Sequence, residues 1–96
     1  MNLNQRIYNA DQAKLVLDNE AFQQAFADIK QEITEQWTQS PARDQDARER
    51  LWLMLKLLDK VELCLKSSLD SGKLAKKELE YQESLAKKVK EWAGMA

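Results

Sequence analysis

Few side chains in this sequence are equipped for chemistry. There is no histidine, which removes the commonest general base at neutral pH and the usual partner of a serine or cysteine nucleophile. The single cysteine, Cys64, lies in an apolar run. It has no partner for an intrachain disulfide, and apolar surroundings raise a thiol's pKa, so it reads as a small buried core residue. One cysteine without histidine cannot build a structural zinc site of the usual composition. Asp44, Asp46 and Glu49 are clustered oxygen ligands of a kind that suits magnesium or calcium. The same residues open a helix, where acids complement the helix dipole, and that is the reading adopted. With Gly72 and Gly94 as the only glycines, no glycine-rich phosphate loop exists. The expectation is a protein that is not an enzyme and needs no metal or cofactor.

Binding chemistry is better represented. Lys76, Lys77, Lys87 and Lys88, with Tyr81 and Trp92 nearby, offer phosphate contacts and stacking surfaces of the kind single-strand binders combine. Glu78, Glu80, Glu83 and Glu91 are interleaved with them, the mixture of an ordinary solvated helix face with i,i+4 pairs. Nucleic-acid binding through those four lysines is therefore the alternative reading. Of Trp37, Trp52 and Trp92, Trp52 stands off the main apolar stripe of its helix. Tryptophans at the centre of a contact dominate interface energetics. Trp52, Leu53, Leu57, Cys64 and Trp92 are the candidate protein interface.

These residues must be positioned by helices. The 96 residues suffice for one domain, 1–96, and two glycines and one proline amid abundant Ala, Leu, Lys, Glu and Gln describe long helices with few turns. Residues 1–49 carry 5 basic and 9 acidic side chains and residues 50–96 carry 10 and 7, an asymmetry too mild for a dedicated nucleic-acid binder. Met1 to Tyr8 lacks the apolar core of a signal peptide, and no apolar stretch approaches the ~18 residues of a membrane span. A cytoplasmic location follows as the default.

Asn9, followed by Asp11, reads as the cap of a short first helix bearing Ala13, Val16 and Leu17. Asn19 caps a second, in which Phe22, Phe26, Ile29, Ile33 and Trp37 recur at spacings of three and four. Pro41 ends it, and Ser40 with Pro41, or else Asp44, starts the third. So short a connection folds the two helices into an antiparallel hairpin. The third helix, roughly 41–70, carries Leu51, Met54, Leu55, Leu58, Val61, Leu65 and Leu69 on one stripe. Trp52, Leu53, Leu57 and Cys64 lie beside or behind it, an arc so wide that several neighbours should bury it. Ser71 and Gly72 end that helix through a left-handed glycine cap, and a fourth runs from Lys73 to about Trp92. Continuation straight through Gly72, at ~1 kcal/mol, is the other possibility.

The segment SPARDQDARERLWLMLKLLDKVE, with GKLA at 72–75, resembles a group of small helical proteins of tailed-phage and prophage genomes. The likeness spans roughly residues 14–79 and rests on Asn19, Ala21 and Phe22, on Trp37, on Ser40 to Asp44, on Arg48 to Trp52 and on Gly72-Lys73. It implies a phage protein acting in the bacterial cell or the virion, and it carries over no site residues. The sequence reading is thus all-α: a hairpin core with a short N-terminal and a C-terminal helix, completed as a bundle by oligomerisation. The partners expected are a second copy, as a homodimer or higher oligomer, or another phage or host protein, with no membrane.

Overall fold

The computed structural model describes residues 1–95. They form three helices, α1 (Leu3–Leu17), α2 (Glu20–Gln39) and α3 (Gln45–Met95), and no strand occurs among the described residues. No helix among them is long and apolar enough to cross a membrane. The molecule is a rod of 80 × 25 × 16 Å. Its radius of gyration of 22.1 Å far exceeds the roughly 12.5 Å of a compact chain this long.

Local chemistry explains the helix ends. Asn2, not Asn9, caps α1: its Oδ1 accepts from the Gln5 amide at 2.7 Å. Asn9 lies inside the helix, its side chain donating to the Met1 sulfur. Asn19 caps α2 as its sequence position suggests, accepting from the Phe22 amide at 2.9 Å. The break between the helices is tied by Gln23, whose side chain donates to the Leu17 carbonyl at 2.6 Å.

The start of α3 is set by Asp44, which accepts from the Ala47 amide at 3.3 Å. Ser40 instead ends α2, its hydroxyl donating to the Trp37 carbonyl. Arg48 closes the connection: its guanidinium donates to the Trp37 carbonyl, the Ser40 carbonyl and the Ser40 hydroxyl at 3.3, 3.2 and 3.0 Å. It also lies 4.2 Å from the Trp37 ring centroid. Carbonyls at a helix end have no partner within the helix, and Arg48 supplies one while stacking on the indole.

The expected third and fourth helices are one. α3 runs 51 residues without interruption, about 76 Å at 1.5 Å per residue, which sets the length of the rod. Gly72 adopts no positive φ. A single helical glycine costs ~1 kcal/mol relative to alanine, too little to break a segment otherwise made of good helix formers. What Gly72 provides is space. A Cβ placed there would stand 2.0 Å from Ala10 Cβ and 3.3 Å from the Arg6 carbonyl oxygen.

α2 folds back along α3. Leu51, Leu55, Leu58, Glu62, Leu65 and Leu69, spaced four and three apart, are buried or half-buried, the period of a coiled-coil seam. Phe22, Phe26, Lys30, Ile33 and Trp37 are the corresponding residues of α2. Lys30 takes the place expected for Ile29, which is 44% exposed, and bridges to Asp59 at 3.4 Å and Glu62 at 3.1 Å.

α1 packs on a different strip of α3, made of the small residues Ser68, Ser71, Gly72 and Ala75. Ala10 and Ala13 are 4% exposed and Ala75 is wholly buried. Arg6 donates to the hydroxyl and carbonyl of Ser71 at 2.9 and 3.1 Å, and Lys76 lies 3.8 Å from Asp11. Beyond Tyr81, α3 projects with every residue through Gly94 exposed.

Candidate interaction surface

Two helices leave much of α3 uncovered. The central helix was expected to be enclosed by several neighbours, as the centre of the fold or of an oligomer, with Met54 and Val61 on its buried stripe; within the single chain that enclosure is incomplete. Met54 is 52% exposed, Leu57 65% and Val61 48%, and Cys64, expected in the core, is exposed. The reason is the number of layers. A single helix laid along α3 covers only the side that faces it, and among the described residues no third helix lies over residues 50–64.

Met54, Leu57, Val61 and Cys64 recur at three and four, so they form a second heptad line beside the one that faces α2. Val16 at the end of α1 and Phe22 at the start of α2 border it. Val16, Phe22, Leu57, Lys60, Val61, Cys64 and Leu65 line a shallow, almost wholly apolar groove of about 490 Å³, and Met54 extends the line beyond it. Continued at heptad spacing, the line passes under α1 at Ser68, Ser71 and Ala75. It emerges on the projecting part of α3 at Leu85, Val89 and Trp92, which are 43%, 61% and 73% exposed.

The five residues singled out from sequence are therefore not one patch. Leu57 and Cys64 share the groove, with Leu53 at its edge. Trp52, 48% exposed with the Lys56 ammonium 5.5 Å from its ring, falls on the far side of α3 from that line. Trp92 stands four heptads, 28 residues, beyond Cys64, about 42 Å along the axis and, at a drift of about 20° per heptad on a straight helix, turned about 80° from it. Sequence reasoning missed Met54, Val61, Val16, Leu85 and Val89 as surface residues. The signal for the first two was present, since 54, 57, 61 and 64 continue a heptad offset by three from 51, 58 and 65.

Lys76 and Lys87, like Lys77 and Lys88, stand 11 residues or about three turns apart, so the four fall in two rows within an arc of about 120° of α3, where Lys76 is turned to Asp11. Asp46 and Glu49 line a small exposed recess with Arg50 and Leu53. Among the described residues, no group of carboxylates and cysteine is arranged to hold a metal ion.

Electrostatics concentrate on one surface cluster. Glu62 accepts from Lys66 at 2.8 Å and Lys30 at 3.1 Å, and these hydrogen bonds, Lys66 first, hold its carboxyl below the ordinary 4.5. The bond from Lys30 to Glu62 holds the Lys30 ammonium above the ordinary 10.5. The cluster fixes α2 against α3. It does not resemble a proton-transfer site, since its pKa values move away from neutrality.

Comparison with protein-family models, with curated proteins and with solved structures found no match.

Proposed function

We propose that this chain is a non-enzymatic interaction module that works by self-association through the uncovered face of α3. The observation that carries this reading is the heptad line of Met54, Leu57, Val61 and Cys64, exposed along a helix whose neighbouring line is already packed. Contiguous apolar surface of this kind marks a protein contact.

The total area points the same way. The chain exposes 7848 Å², whereas a compact monomer of its mass exposes roughly 5,700 Å², leaving a surplus of about 2,100 Å². A standard interface removes about 800 Å² from each partner. Association into a helical bundle uses this surplus, and the phage resemblance of residues 14–79 makes assembly of a phage particle or of another multi-protein complex the setting proposed.

Sedimentation equilibrium across micromolar concentrations tests the reading. A mass above the 11.2 kDa of the chain that falls back on Leu57→Asp is expected, and an 11.2 kDa monomer throughout would overturn it. The lysine-rich alternative has less support, because Glu78, Glu80, Glu83 and Glu91 are interleaved with its four residues and Lys76 already faces Asp11.

A further inference from the structure

The way copies can meet is constrained by α1. The heptad line on α3 is free in two places, at Met54 to Cys64 and at Leu85 to Trp92, and between them α1 lies on Ser68, Ser71 and Ala75. The first stretch spans about three turns and the second about two, and neither has a partner among the described residues.

Two straight helices can bring these stretches together in two senses. In the antiparallel sense, Leu57 meets Val89 and Val61 meets Leu85 of a second copy. The incoming helix must then continue along the line over Ser68 to Ala75, where Ala10 and Ala13 of α1 already lie buried. That sense also sets Lys60 against Lys88 beside the contact. In the parallel sense, a shift of four heptads pairs Leu57 with Leu85, Val61 with Val89 and Cys64 with Trp92. The body of the second copy then extends beyond the turn at Ser40 to Asp44, away from α1, and Lys60 falls opposite Ala93.

Building on the self-association proposed above, the geometry points to a head-to-tail contact. The groove of Leu57, Val61 and Cys64 receives, in parallel, the Leu85, Val89 and Trp92 face of a second copy's α3. Because the two surfaces differ and lie about 42 Å apart along one axis, the contact does not close on itself. Each copy keeps one groove and one projecting helix free, and the product is an open chain of copies. Each interior copy makes two contacts, and two standard contacts remove about 1,600 Å² from it, within its surplus of exposed area.

Two full-length variants test this. Leu57→Asp with Val61→Asp removes the groove, and Val89→Asp with Trp92→Asp removes the projecting face. All four residues are at least 48% exposed, so the fold survives, as circular dichroism will verify. The wild-type weight-average mass should rise with concentration past twice the 11.2 kDa chain mass without a plateau. Each double variant should be monomeric alone, and an equimolar mixture should give a 1:1 heterodimer and stop there, since one groove and one projecting face remain intact. A wild-type dimer that stays a dimer at all concentrations, or a mixture that fails to pair, overturns the head-to-tail contact while leaving self-association standing. A wild-type monomer at every concentration overturns both.

Discussion

Replacing Gly72 by alanine separates two opposing effects whose sizes the structure supplies. In an open helix the change stabilises by about 1 kcal/mol, because alanine has the higher helix propensity. Here the added methyl would stand 2.0 Å from Ala10 Cβ, whereas apolar carbons rest at about 3.5–4.0 Å. α1 must therefore retreat by about 1.5–2 Å, and a gap of only 0.5–1 Å already forfeits a quarter to a half of the dispersion energy. Overpacking typically costs about 1–3 kcal/mol, and retreat also strains the Arg6 bonds to Ser71.

The net expectation for Gly72→Ala is a loss of up to roughly 2 kcal/mol confined to the docking of α1, with α2 and α3 intact. Hydrogen exchange of the Leu3–Leu17 amides reads this directly, and the α2 amides serve as reference. Ala10→Gly in the same chain removes the opposing methyl, so the double variant should regain docking that neither single change predicts, a coupling that a double-mutant cycle isolates. Gly94→Ala is the control: nothing lies within 4 Å of its added Cβ, so it should be neutral or mildly stabilising. Unchanged α1 exchange in Gly72→Ala together with a raised urea midpoint would refute the argument, because it would show that α1 does not rest on this glycine.

Arg48→Ala removes three hydrogen bonds to the end of α2 and the stack on Trp37. Loss of about 1–3 kcal/mol is expected in urea unfolding, and a change within error would mean that water satisfies those carbonyls equally well. Glu62 has its carboxyl held below 4.5, so its contribution is complete above that value and is lost as pH falls through the lower folded value. Lys30, held above 10.5, contributes fully below that value and loses its part as pH rises through the higher folded value. Stability should therefore be flat near neutrality and fall at both extremes. Glu62→Gln should blunt the acid limb, and an unaltered acid limb would discount the cluster; added salt should weaken it as well. Cys64, exposed in the free chain, should react readily with a thiol reagent in native buffer. Protection in the Val89→Asp, Trp92→Asp variant, which is expected to be monomeric with its groove open, would contradict the placement of Cys64 on the open face.

Much of the architecture was legible before any coordinates. The absence of glycine and proline outside a few positions made an all-helical chain unavoidable, and Asn19, Pro41 and Asp44 marked ends that local hydrogen bonding then fixed. These are effects of nearest neighbours, which a sequence carries in full. The first helix began earlier than Asn9 because Asn2 offered an equally good cap, accepting from the Gln5 amide, while Asn9 inside the helix donates its side-chain amide to the Met1 sulfur.

What sequence alone could not decide was which apolar residues find a partner. Leu51 and Leu57 are chemically identical on one helix, yet one is buried and the other 65% exposed, because only one helix lies along α3 at that level. Gly72 was ambiguous for the same reason. A glycine that ends a helix and one that admits another helix look alike until the second helix is in place. Composition and capping determined that the chain would be helical; the tertiary structure decided that α1 would take the small-residue strip and α2 its neighbour. That division left the second heptad line open, since burial depends on which surfaces are within reach and not on how apolar each residue is.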